Sequence, residues 1–188
     1  SALDKAELLS DPHATAQKVQ ALDIVTPNFY HLFGDSLESQ NLALPGTLDK
    51  NMADLEKVLI FADAANIGSI FILPGVVNPG QSREDAFAVS AQSLKAMVEL
   101  SGSYNATLCI EPHVQSFTES PQIVERLVDA SGIKLALDYS HFACLGYRQD
   151  EVDPLAKHAG HVHLRQAKMG DLQAKFAQGT LNFPARFG

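Results

Sequence analysis

Short apolar segments alternate with longer amphipathic segments along this chain, and the alternation restricts the folds that it can adopt. The runs SIFILPG (69–75), ATLCIEPH (106–113) and IKLALDYSH (133–141) have the length of strands and are largely apolar until their last residues. Strands of this composition are typical of parallel sheets, because helices cover both faces of such a sheet. The pattern therefore predicts parallel βαβ units and the α/β fold class.

Helix signals separate the predicted strands. Apolar residues recur at helical spacing in 47–68, and Ser82 and Ser120 are typical N-caps of the two helices that follow. We interpret Gly68 as the C-cap that ends the first of these helices. Strands are predicted at 23–28 (closed by Pro27), 69–75, 106–113, 133–141 and 161–167, and helices at 11–22, 47–68, 82–104, 120–132 and 150–160.

The composition bounds the size and the setting of the protein. With 188 residues, 46% of them hydrophobic, we predict a single domain over 1–188. The net charge of −8 and the lack of a Lys/Arg cluster argue against a nucleic-acid partner or an anionic membrane. No apolar run approaches membrane-spanning length, SALDKAELLS lacks signal-peptide features, and two cysteines make no disulfide framework. We therefore expect a cytoplasmic location.

Acidic and imidazole side chains follow three successive strands at the point where each strand ends. In a (β/α)₈ barrel these ends converge on the active-site face. Two carboxylates and one or two imidazoles that converge can bind a divalent metal ion, and Mn²⁺, Mg²⁺, Co²⁺ and Zn²⁺ all fit this mixture. The residues are Glu111 and His113, then Asp138 and His141, then His161, His163 and Arg165.

Each of these residues alone also has an ordinary structural interpretation. Glu111 or Asp138 could cap the turn that follows its strand, and His163 could be a hydrogen-bonded core histidine. Arg165 alone is usually an ion-pair partner. Convergence of three strand ends by chance is less probable than any single event, so we favour a metal or active site. The remaining histidines, His13, His31 and His158, are interpreted as structural or surface residues.

The segments CIEPH, LALDYSH and HVHLRQA, in this order and about 25 residues apart, resemble the xylose-isomerase-like TIM barrels. The later run GDLQAKFAQGTLNFPARFG is similar to the segment after the seventh strand in the sugar phosphate isomerase/epimerase branch of that superfamily. The resemblance implies a (β/α)₈ TIM barrel, of which this chain covers about strands three to seven. A counterpart of the N-terminal βαβ and an eighth strand with a second glutamate are not recognised, and Gln166 stands where many members have an aspartate.

The resemblance also implies roles for the residues at the strand ends. Glu111 would be both a metal ligand and a catalytic acid/base carboxylate, with Asp138 and His163 as the other metal ligands. His141 would bond substrate or metal, and Arg165 and His113 would bind substrate. The implied cofactor is a divalent metal ion.

The implied function is a divalent-metal-dependent isomerase or epimerase of a small sugar or related hydroxy-carbonyl compound. The reaction would use carboxylate-mediated proton transfer, and the partner would be a small sugar-like molecule. Two alternatives stay open, a metal-dependent dehydratase or lyase and a non-catalytic barrel relative. Cleavage of damaged DNA, another activity of the superfamily, is disfavoured because the chain is acidic and GTLNFP contains no histidine. Homodimers are common in the family, so the resemblance leaves a homodimer open.

Overall fold

A computed structural model describes residues 3–183 of the chain, and its five strands form one parallel sheet in sequential order. All four neighbouring pairs are parallel, so every strand ends at the same edge of the sheet. The sheet curls into part of a TIM barrel, and the curl brings His161 Nδ1 to 3.3 Å from Ser69 Oγ, although two strands separate them. The strands are β1 (Asn28–Tyr30), β2 (Ser69–Ile72), β3 (Thr107–Ile110), β4 (Lys134–Asp138) and β5 (Ala159–His163).

Helices cover the sheet and connect its strands, as the alternation predicts. Apolar side chains of the strands, among them Ile70, Ile110 and Leu135, are completely buried. Leu59 of α3 and Leu94 of α4 are buried against the same core. The helices are α1 (Lys5–Ser10), α2 (Pro12–Gln20), α3 (Leu48–Ala65), α4 (Arg83–Ser101), α5 (Pro121–Ser131), α6 (Tyr139–Cys144) and α7 (Gln149–Val152), with 3₁₀ helices at Asp153–His158 and Phe176–Gln178.

The first strand lies later in the chain than predicted. The prediction of a strand at 23–28 is wrong, because hydrogen-bonded pairing with β2 begins only at Asn28, which pairs with Ser69. Pro27 has no N–H to donate to a ladder, and Val25 before it is 93% exposed. Pro27 therefore precedes the strand that it was predicted to close.

Asn66, and not Gly68, ends helix α3. Asn66 adopts the left-handed conformation with φ 56°, and its N–H donates to the carbonyl groups of Ala62 and Asp63. Asparagine is the residue that most often replaces glycine in this conformation. The helix therefore stops at Ala65, three residues before the predicted end.

Strands β2 to β5 are all shorter than predicted, and the difference moves site residues in the last two. Strand β4 ends at Asp138, and the next residues form helix α6, so His141 lies on a helix and not on an extended strand. Strand β5 ends at His163, which leaves Arg165 in the segment after it. The connection predicted as helical at 150–160 is α7 followed by the 3₁₀ helix.

No helix among residues 3–183 combines the length and the apolar character that crossing a bilayer requires. Both cysteines, Cys109 and Cys144, are free thiols.

Candidate metal and active site

Glu111 is the first residue after β3, and its backbone still belongs to the sheet. Its N–H donates to Ile72 O at 3.0 Å, which fixes the direction in which the side chain leaves the strand end. The residue is 8% exposed. Its Oε1 accepts a hydrogen bond from His163 Nδ1 at 2.6 Å. This hydrogen bond therefore joins the carboxylate after β3 to the imidazole at the end of β5.

Asp138 is the last residue of β4 and also the N-cap of α6. Its Oδ1 accepts from the Ser140 N–H at 2.8 Å, and its Oδ2 accepts from Arg165 Nη2 at 2.6 Å. The residue is 2% exposed, so a charged carboxylate depends on these partners. Oδ1 thus caps α6, as one interpretation of the sequence predicts, and Oδ2 is bonded to Arg165 instead.

His163 lies directly opposite Asp138 in the register between β4 and β5. The hydrogen bond to Glu111 raises the pKa of His163. This effect is larger than that of burial, which lowers the pKa. The Phe71 ring meets the imidazole edge-on, with 4.8 Å between the ring centroids. His163 is thus held in one orientation by a carboxylate and an aromatic ring.

His141 is buried beneath the two carboxylates and is neutral near pH 7. Burial lowers its pKa to about 4, although Glu111 and Asp138 act in the opposite direction. Its Nε2 lies 3.7 Å from Glu111 Oε2 and 3.9 Å from Asp138 Oδ2. Its Nδ1 accepts from the Val114 N–H at 3.2 Å. Because a neutral imidazole has one acceptor nitrogen, this bond assigns the ring hydrogen to Nε2, on the side of the carboxylates.

Arg165 and His113 complete the set. The Arg165 guanidinium reaches back over α6, where its Nε donates to Ser140 Oγ at 3.0 Å. His113 lies in the loop after β3, with its ring centroid 4.7 Å from that of His141. All six predicted site residues line one cleft of about 420 Å³, and Phe71 and Leu172 form the rest of its wall.

Sequence reasoning missed Ser140, Phe71 and Leu172. Ser140 could have been found, because it lies inside the DYSH motif at the spacing that a capping aspartate requires. Phe71 and Leu172 are apolar and carry no local signal. His161, which belongs to the predicted strand end, points to Ser69 in the barrel interior and does not line the cleft.

Three donor atoms have the geometry of a metal site. The three atoms lie within 4.8 Å of one another, and they belong to the buried residues Glu111, Asp138 and His141. Two carboxylates and an imidazole suit a divalent cation such as Mn²⁺ or Zn²⁺. His163, the predicted third ligand, is next to this group through its bond to Glu111. The residues present therefore fit a divalent ion, with His141 as the third donor in the observed geometry.

A family model described as "Xylose isomerase-like TIM barrel" matches residues 29–188 of the chain. No curated protein matches the sequence. Among solved structures, a D-tagatose 3-epimerase-like protein superposes with a TM-score of 0.76 at 17% identity, over 93% of this chain and 70% of that chain.

Two further structures share the fold. AP endonuclease, family 2 from Brucella melitensis superposes with a TM-score of 0.76 at 16% identity, over 94% of this chain and 71% of that chain. The probable 3-DHS dehydratase AsbF, involved in petrobactin synthesis, from Bacillus anthracis gives 0.70 at 15% identity, over 96% and 73% of the two chains. Because these sequence identities are low, the similarity shows a shared fold and nothing more.

Proposed function

Because the chain belongs to the xylose isomerase-like TIM barrel family, we propose that it is a divalent-metal-dependent isomerase or epimerase of a small sugar or related hydroxy-carbonyl compound. The observation that carries the proposal is the position of Glu111. Its buried carboxylate lies at the strand ends, 2.6 Å from His163 and beside the carboxylate of Asp138. Epimerases and a dehydratase are among the proteins of similar fold.

Glu111 and Asp138 would hold the ion, together with one histidine. The family resemblance assigns this place to His163. The Val114 N–H meanwhile keeps the lone pair of His141 on the far side of its ring. When bound, a divalent ion polarises a substrate carbonyl and the neighbouring hydroxyl, which makes the hydrogen on the adjacent carbon more acidic. His141 then faces the cleft with an Nε2–H that can donate to a substrate oxygen.

Glu111 would move the proton. One of its oxygens is bonded to His163, and the other is 3.7 Å from His141, too far for a hydrogen bond. A carboxylate held at one oxygen and available at the other is suited to act as a general base. Arg165 and His113, in the same cleft, would bind the substrate's hydroxyl oxygens. For an epimerase, the family resemblance assigns the opposing acid to a glutamate of an eighth strand.

Exchange of substrate hydrogen with solvent tests this role. The purified protein with Mn²⁺ or Mg²⁺ would be incubated in D₂O with a panel of ketoses and aldoses, and NMR would follow deuterium entering the carbon next to the carbonyl. We expect Glu111→Gln to slow exchange by about 100-fold or more, the usual contribution of a general base. The amide keeps an oxygen that can face the ion but is neutral, so metal binding should weaken and exchange is compared with each protein saturated by metal.

Glu99→Gln is the matched control, because Glu99 is exposed on α4, outside the cleft. It should exchange substrate hydrogen as fast as the wild type. Equal exchange rates in Glu111→Gln and Glu99→Gln would end the proton-transfer role of Glu111. The same spectra separate the dehydratase alternative, since loss of water gives a new alkene signal whereas epimerisation gives a stereoisomer of equal mass.

A further inference from the structure

The Arg165 guanidinium is in contact with the oxygen that a metal ion at this site would need. Arg165 Nη2 donates to Asp138 Oδ2 at 2.6 Å, and its Nε donates to Ser140 Oγ at 3.0 Å. The other carboxylate oxygen of Asp138 accepts from the Ser140 N–H. Asp138 therefore has one oxygen to offer to a cation, and the guanidinium holds that oxygen.

Arginine cannot release this oxygen by losing its proton. A guanidinium stays charged at all working pH values, so only a movement of the side chain frees Asp138 Oδ2. A divalent ion bound beside an unmoved Arg165 would place two cations on one carboxylate, and their repulsion in a buried site is large. Metal binding and the Arg165–Asp138 ion pair are therefore competing events.

The surroundings of Arg165 allow it to move. It lies two residues after the end of β5, and its side chain is 31% exposed, in contrast to 2% for Asp138. Its Nη2 also comes within 3.2 Å of His141 Nε2. That nitrogen carries the ring hydrogen as long as Nδ1 accepts from Val114, so the contact adds no bond to hold the guanidinium.

We propose that Arg165 competes with the divalent metal ion for Asp138 and that metal entry moves its guanidinium toward the cleft, where it binds substrate. Arg165 then sets the metal affinity of the site and links metal loading to substrate binding. The inference rests on the proposed function, because it needs the metal site formed by Glu111 and Asp138. A purely supporting role for Arg165 makes a different prediction, namely that its removal weakens metal binding.

Arg165→Met removes the charge and keeps much of the side-chain volume. We expect two effects of opposite sign. The chelator-treated variant should melt at a lower temperature, because Asp138 loses its partner, yet it should bind Mn²⁺ at least about tenfold more tightly in calorimetric titration. Arg126→Met is the matched control, since Arg126 pairs with Glu84 at 2.8 Å on the surface, and it should bind Mn²⁺ like the wild type.

The outcomes separate the two proposals. Equal or weaker Mn²⁺ binding by Arg165→Met, beside a wild type that binds, overturns the competition and leaves the metal site standing. Absence of Mn²⁺ and Zn²⁺ binding by all three proteins overturns the proposed function and the competition together.

A second measurement follows metal binding in the wild type, and a variant is needed only to assign one signal. The Arg165 Nε–H, bonded to Ser140 Oγ, should give a resolved NMR signal that Arg165→Lys identifies by its loss. Titration with diamagnetic Zn²⁺ should shift this signal in parallel with metal binding. A signal that stays unchanged at saturating Zn²⁺ overturns the proposal.

Discussion

The two halves of the sheet end at the same edge, yet they present different chemistry there. Strand β3 leads into Glu111, and β4 and β5 end in Asp138 and His163. The side chains of these residues bond to one another or to Arg165. Strands β1 and β2 lead into loops whose buried side chains are apolar or amide, apart from His31, whose imidazole is neutral near pH 7. One half thus presents buried carboxylates, and the buried groups of the other half are uncharged near pH 7.

The loops after β1 and β2 are tied together by Asn41. Its Oδ1 accepts from the backbone N–H groups of Ala43 and Val76, and its Nδ2 donates to Asn78 Oδ1 at 3.0 Å. Gly75 lies in the same contact with φ 106°, where an added Cβ would come within 2.7 Å of the Ala43 nitrogen. An amide with its hydrogen bonds satisfied stabilises a loop without offering a titratable group. The comparison indicates that the buried carboxylates lie at the ends of β3 and β4, away from these loops.

Asp138→Asn should have the largest effect on the difference between the two halves of the sheet. The amide still caps α6, because asparagine is as good an N-cap as aspartate, so the protein should fold. We expect Mn²⁺ affinity to fall by about 100-fold or more, since a charged ligand is replaced by a neutral one. Calorimetric titration measures this, and unchanged affinity would remove Asp138 from the metal site.

Asn41→Ala should have the complementary effect in the other half. The variant loses four hydrogen bonds and leaves buried backbone N–H groups unpaired. We expect its free energy of unfolding, measured by urea denaturation, to be about 3 kcal/mol lower. Mn²⁺ affinity should be that of the wild type. If Asn41→Ala weakens metal binding as much as stability, the division between the two halves is wrong.

Gln166→Glu tests a smaller contact that the sequence could not predict. Gln166 Nε2 donates to Leu181 O at 2.7 Å, and Gln166 Oε1 accepts from the Leu181 N–H at 3.2 Å. A carboxylate would lose the donor and face the Leu181 carbonyl. We expect a loss of about 1–2 kcal/mol in the free energy of unfolding, with the metal site intact. Unchanged stability in urea would mean that this pair of bonds contributes nothing.

Two histidines at the ends of the outer described strands should have pKa values shifted in opposite directions. Burial lowers the pKa of His31, after β1, to about 4, whereas the bond to Glu111 raises the pKa of His163. NMR titration should find His31 neutral at pH 5 and the pKa of His163 above its ordinary value. Glu111→Gln should lower the pKa of His163 and leave His31 unchanged. Equal pKa values for the two imidazoles would contradict the pairing at the strand ends.

The same shifts act on stability with opposite signs. The unfolded chain binds a proton at His31 below about pH 6.5 and the folded chain does not, so His31 lowers stability as the pH falls from 6.5 toward 4. His163 adds stability below its ordinary pKa of about 6.5, and this is lost as the pH rises through the raised value. Urea unfolding of His31→Asn should therefore be less sensitive to pH between 6.5 and 4 than that of the wild type.

The sequence was sufficient for the parallel strands and for the residues at their ends, because both are local patterns. Apolar runs predict buried strands, and the acid or histidine that follows each run marks its end, as at Glu111 and Asp138. Helix α6 was not foreseen, because LALDYSH can also be read as one extended segment. The Arg165–Asp138 and Gln166–Leu181 contacts join residues far apart in the sequence, and only the folded chain brings them together.

X-ray diffraction from crystals soaked in Mn²⁺, with data collected to reveal anomalous scattering, tests the central claim most directly. The account predicts one strong peak at the ends of β3–β5, about 2.0–2.3 Å from carboxylate oxygens of Glu111 and Asp138. His163 should be the third protein ligand, and Arg165 should have left Asp138 Oδ2. A peak elsewhere, or a fully loaded crystal without density between these two carboxylates, would contradict the account.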